Sequence, residues 1–158
     1  MLYISLIIIL LFFSAFFSGS ETGLTGTNRA KIYKLKSEGD LRATKVDNLL
    51  QDKNRLITTI LLGNNLVNIA ASALATSIAI KYFGEEGIFY VTVILTLVIL
   101  IFAEVLPKTY AINNAEKVGL FVAPLFNFLV KLFVPITFFV EKTVALFTKI
   151  LGLNKTDV

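Results

Sequence analysis

Three long apolar runs separated by polar segments set the expected architecture. Leu2 to Ser20 is uncharged and rich in Ile, Leu and Phe; Leu56 to Ile80 is uncharged again; and a run of Val, Ile, Leu and Thr extends from Ile88 to Ala103. Since ~20 helical residues cross a bilayer, the runs predict TM1 near 2–22, TM2 near 56–80 and TM3 near 88–108. Between the first two, residues 27–54 interleave charges with Ile32, Leu35, Val46, Leu49 and Leu50, and Gly39-Asp40 divides them, which predicts a hairpin of two amphipathic helices. Beyond TM3, residues 113–151 are apolar but interrupted by Pro124, Asn127, Lys131 and Pro135. Two prolines and a mid-run lysine predict broken juxtamembrane helices lying along the interface as a belt, with Lys131 snorkelling, in place of a fourth span. Gly152 to Val158 reads as a linker cut short. The fold expected over 1–158 is a single all-α integral membrane domain.

Composition agrees with that class. Hydrophobic residues make up 56% of the 158 and mean hydropathy is +0.78, above the ~45–50% apolar usage of soluble domains. No basic leader or small-residue cleavage site accompanies TM1, so it reads as a span and not a signal peptide. There is no Cys and no His, which removes thiol chemistry, disulfides, histidine base catalysis and the usual zinc ligands. The spans hold no Ser/Lys or Ser/His dyad and no Asp pair, so the chain does not read as an enzyme. The net charge of +4 would suit nucleic acid, but eight Lys or Arg lie between Arg29 and Arg55 against four acids. The Lys81–Gly87 loop has one Lys and two Glu. That asymmetry is a topology signal: the hairpin and C-terminus cytoplasmic, the N-terminus outside, the partner a plasma or inner membrane bilayer and not nucleic acid.

Polar residues inside the apolar runs carry the candidate chemistry. Asn64, Asn65 and Asn68 interrupt TM2, and Asn64 and Asn68 share a helix face that Ser72 and Thr76 continue. Unpaired amides are costly in lipid, so these face protein, water or an ion. In TM1, Ser14, Ser18 and Thr22 share a face; Gly19 allows a break or a close approach, and Ser18-x-x-Glu21 fits a capping box where one helix stops and another starts. Near the end of TM3, Pro107 cannot donate to the Ala103 carbonyl, freeing an oxygen beside the intramembrane acid Glu104. Hydroxyls (Ser18, Ser20, Thr22), carboxamides, one carboxylate and one freed carbonyl are ligands that hard cations such as Mg²⁺ and Ca²⁺ select. The plain structural alternative is that the amides only glue helices together.

Three motifs, Phe16-Phe17-Ser18-Gly19-Ser20-Glu21-Thr22, Gly63-Asn64-Asn65-Leu66-Val67-Asn68 and Glu104-Val105-Leu106-Pro107-Lys108, resemble in order and spacing those of the CorC and cyclin-M (CNNM) magnesium transporters. The resemblance implies a homodimer with three spans per subunit, a cytoplasmic hairpin, a belt of juxtamembrane helices, and Mg²⁺ export coupled to Na⁺ entry. It implies ion ligands at Ser18, Asn64, Asn68 and Glu104, with Ser20 and Ala103 as further candidates. Relatives carry cytosolic CBS domains that bind ATP; nothing here would form them, and a truncated chain is expected. Gly23 stands where the family pattern suggests Ala. The alternative function is a non-transporting dimeric membrane anchor or Mg²⁺ sensor for cytosolic domains.

Cysteines placed singly in this Cys-free chain test the topology. A reagent confined to the outside is expected to label the Lys81–Gly87 loop and spare both the hairpin and Val158, whereas outside labelling of Val158 would establish a fourth span.

Overall fold

A computed structural model describes residues 2–151, without the side chain of Leu2; the linker expected at Gly152–Val158 lies outside them. Every regular element among the described residues is a helix. Three helices are long and apolar enough to span a membrane. The first is α1 (Leu2–Thr25), and the second is α4 (Lys53–Phe83). The third runs continuously from Gly87 to Asn113, as α5 (Gly87–Val98), a π-helical segment (Ile99–Val105) and α6 (Leu106–Asn113). Between the first two lie α2 (Arg29–Ser37) and α3 (Leu41–Gln51), and after the third come α7 (Ala115–Leu132) and α8 (Val134–Ile150), bent by 71° where they meet.

Local chemistry builds the hairpin. The Asn28 side chain accepts from the Ala30 and Lys31 amides at 2.9 and 3.3 Å, capping α2. Gly39, at φ +91°, turns the chain in a conformation that other L-residues resist. Asp40 then caps α3 by accepting from the Arg42 amide at 2.8 Å, and a hydrogen bond from the Arg42 side chain holds the Asp40 carboxyl below the ordinary carboxylate range. Lys36 and Asp47 join the two helices at 2.5 Å.

The hairpin closes on α7. Ile32, Ala43, Val46, Leu49 and Leu50 form one buried cluster with Val122, Ala123 and Phe126 of α7, Phe17 and Leu24 of α1, and Leu56 and Ile60 of α4. The α7 residues Gly119, Val122, Ala123 and Phe126 recur at helical spacing, so α7 presents one stripe to this core. Lys31 pairs with Glu116 at 2.6 Å, and the Asn127 amide donates to the Lys45 carbonyl at 3.1 Å. Arg55 at the start of α4 reaches Glu141 of α8 at 3.6 Å.

One local expectation is corrected. Helix α1 runs unbroken through Ser18–Glu21, so no helix ends at a capping box there, and Ser18 Oγ has no hydrogen-bond partner. Pro124 lies inside α7 without ending it, while Pro135 sits in the first turn of α8, where its missing N–H costs nothing, and the bend falls at Phe133. The Gly23 position, anomalous in the sequence, has a packing reason: a Cβ there would collide with the Val118 side chain of α7.

Where α1 crosses α4, a Cβ on Gly63 would stand 2.5 Å from the ring of Phe17, itself held edge-on against Phe126 with ring centroids 6.0 Å apart. At Gly19 a Cβ would instead meet Pro107 at 3.4 Å, an ordinary contact. Gly63→Ala is therefore expected to lose ~1–3 kcal/mol of stability from overpacking, with Gly19→Ala near neutral. Denaturation of the purified variants in detergent measures both, and equal stability of the two would contradict the crossing.

Candidate functional site

The crossing of α1 and α4 brings the first two motifs together. Ser14 Oγ donates to Asn64 Oδ1 at 2.9 Å, one residue along α4 from the Phe17–Gly63 contact. Ser14 is fully buried and Asn64 half-buried. One turn further along α1, Ser18 is 1% exposed and its hydroxyl is buried without a partner; one turn further along α4, Asn68 Oδ1 is in the same state. Burying a polar atom unpaired costs ~1–3 kcal/mol, so each of these oxygens calls for water, an ion or another donor.

The third motif approaches α1 from the side. Gly19 packs on Pro107, and since Ser14 and Phe17 turn towards α4, Ser18 lies on the part of α1 between α4 and the third span. Glu104, three residues before Pro107, falls level with Phe16, between Ser14 and Ser18. The π segment ends beside it: the Leu106 amide donates to the Ile101 carbonyl five residues back, and Ala103 is fully buried. Pro107, lacking an N–H, follows directly, and such π turns are common where a helix serves a site. Glu104 is half-buried and forms no hydrogen bond or ion pair among the described residues. The neighbouring charges are paired with each other, Lys108 with Glu21 at 3.7 Å, which leaves Glu104 without a counter-charge.

The six candidate ligands do not form one shell. Glu104 and Ala103 fall between the level of the Ser14–Asn64 bond and that of Ser18, which lies one turn, ~6 Å, from that bond. Because α1 and α4 run in opposite directions, Ser18 and Asn68 lie on opposite sides of the Ser14–Asn64 bond, ~12 Å apart along the axis at 1.5 Å per residue. An ion held at ~2.1 Å cannot touch both. Ser20 lies on the other side, ~200° around α1 from Ser18, in the wall of a cavity between α1, α6 and α7, with its buried hydroxyl likewise unpartnered. Asn65 and Ser72 are exposed, whereas Asn64, Asn68 and Thr76 are half-buried, so the stripe on α4 is interrupted at Ser72.

Sequence reasoning placed Ser14 on the right face and gave it no role. Its i, i+4 relation to Ser18 was the signal; the bond to Asn64 needed the crossing point. Among the described residues no group of three or more His, Cys, Asp or Glu gathers, so the available donors are neutral oxygens and one carboxylate. That set suits a hard cation and leaves a divalent ion with net positive charge, a weakly held state.

Comparison with known proteins bears on this geometry. The family model of the cyclin M transmembrane N-terminal domain matches residues 5–158. The inner membrane protein YfjD of Escherichia coli is 41% identical over 92% of this chain, which covers 34% of YfjD. The metal transporter cnnm-4 of Caenorhabditis elegans is 30% identical over 72% of the chain and 25% of its own length. A polyamine export protein of Haemophilus influenzae is 26% identical over 94% of the chain and 37% of its own length. The chain thus spans about a third of the length of such relatives.

The hydrogen-bond pattern separates two serines that look alike in sequence. Ser14→Ala removes a made bond and is expected to cost ~1 kcal/mol, whereas Ser18→Ala removes an unpaired hydroxyl and should be neutral or stabilising. Detergent denaturation midpoints distinguish them; a Ser18→Ala loss as large as that of Ser14→Ala would mean that Ser18 is bonded.

Proposed function

The chain belongs to the cyclin M transmembrane domain family, and from that membership we propose that it is the membrane domain of a transporter that exports Mg²⁺, coupled to Na⁺ entry. The observation that carries the reading is Glu104, an acid without a counter-charge, between the levels of the Asn64 amide and the orphan hydroxyl of Ser18 inside three apolar helices. In this reading Glu104 supplies the charged ligand, Ser18 Oγ and Asn64 Oδ1 neutral ones, and the Ala103 carbonyl a fourth, with water completing the shell. Ser14 holds the Asn64 amide in place. Asn68, a turn away, serves a neighbouring position on the ion's path, and Ser20 is not a ligand. Loss of one contact as the helices shift would release an ion held by a single negative charge, and Na⁺ could take its place.

The orientation that suits this cycle has the hairpin and C-terminus cytoplasmic, the chain acting as a homodimer. A polyamine is the second reading, favoured by the name of one relative. Its spaced ammonium groups would need several acids along the path, and the short oxygen cluster beside one carboxylate suits a compact ion better.

Flux into liposomes containing the purified protein tests both readings. Mg²⁺ transport should depend on a Na⁺ gradient, and Glu104→Gln, which keeps the shape and removes the charge, should lower it by more than the ~10–100-fold typical of residues that only support a metal ligand. Spermidine should neither be carried nor compete. Parent-like Mg²⁺ flux in Glu104→Gln would overturn the site, and spermidine flux abolished by the same change would favour the second reading. A protein that moves neither ion is a membrane anchor or sensor.

A further inference from the structure

The cavity that takes Ser20 away from the ion site has a chemistry of its own. Its volume is about 490 Å³, within the ~300–1,000 Å³ of small-molecule pockets. Phe16 of α1 and Val118 and Phe121 of α7 make its walls apolar, and Phe121 is 78% exposed. Tyr110 of α6 borders it with a largely exposed ring, as aromatic residues do where a helix leaves the hydrocarbon core. The lining has a single charged residue, Lys117. The charges around Lys117 are committed elsewhere, Glu116 to Lys31 and Lys108 to Glu21, and Lys117 has no ion pair among the described residues. Ser20 backs the wall with its hydroxyl buried beneath the surface of the cavity.

We infer that this cavity between α1, α6 and α7 is a binding site for an acidic glycerophospholipid, its acyl chain along Phe16, Val118 and Phe121 and its phosphate at the Lys117 ammonium. Three features select that occupant. The apolar walls reject a free phosphate, the uncompensated lysine favours an anionic headgroup over a zwitterionic one, and the position at the end of a spanning helix sets the headgroup at interface depth. The site is separate from the proposed ion path, being on the opposite face of α1, and it holds or fails independently of transport.

Native mass spectrometry of the purified chain in neutral detergent, with phosphatidylglycerol and phosphatidylcholine of matched chains, provides the test. Phosphatidylglycerol should be retained about fivefold more than phosphatidylcholine, the equivalent of ~1 kcal/mol for one lysine near an anionic headgroup. Lys117→Gln should erase that preference and leave phosphatidylcholine retention unchanged, Lys117→Arg should keep it, and Ala15→Phe, which fills the cavity, should lower both lipids. Lys45→Gln, on the exposed hairpin, should change neither. A preference that survives Lys117→Gln, or falls equally with Lys45→Gln, would assign the selectivity to general basic charge and overturn the site. Displacement by soluble glycerol phosphate would overturn the lipid, and so would retention of neither lipid by the parent protein.

Discussion

The structure depends on one close approach, the crossing of α1 and α4 at Phe17 and Gly63. In lipid the hydrophobic effect does not drive helices together, because the tails are as apolar as the side chains; shape and polar bonds must do it. A glycine opposite a phenyl ring lets the two backbones come close enough for Ser14 and Asn64 to bond at 2.9 Å. A larger residue at 63 would separate the helices and leave both polar groups unpaired. The packing and the hydrogen bond are thus one interaction seen at two adjacent residues, and it sets the register of α1 against α4.

That register places the rest. With Ser14 bonded to Asn64, Ser18 is carried a turn towards the hairpin and left without a partner, and Gly19 is turned to meet Pro107 of the third span. Pro107 in turn cannot complete regular helical bonding, and the π segment before it accommodates the change while presenting Glu104. Unpaired polar atoms inside a membrane protein lower its stability, and the hydroxyl of Ser18 lies within two residues of the level of the unpaired acid. Stability given up at one level of a bundle is what a binding site for a small cation requires.

Outside the three spans a different force holds the fold. The hairpin and α7 bury a continuous apolar cluster that reaches inward as far as Phe17 at the crossing, and its part beyond the apolar runs is favoured by burial away from water. The pairs Lys31–Glu116 and Lys36–Asp47 are half-exposed and add little by themselves, and they act mainly to fix alignment. The result is a rigid collar at one end of the bundle.

The sequence by itself determined the three long apolar helices, the hairpin and the list of candidate oxygens. Span hydropathy is a local sum over ~20 residues, the hairpin turns on the neighbouring residues Asn28, Gly39 and Asp40, and an amide or acid in an apolar run stands out without any tertiary knowledge. Gly23 was visible as an anomaly but had no meaning until Val118 was found against it. Only the tertiary structure decided that α1 is unbroken at Ser18, that Ser14 holds Asn64, that Asn68 lies a turn from the cluster, and that Ser20 faces away. Periodicity tells which residues share a face of one helix; it cannot tell which turn of that helix meets which turn of another. That offset is set by the fit of Phe17 on Gly63 and of Gly19 on Pro107, contacts between residues 46 and 88 positions apart in the chain.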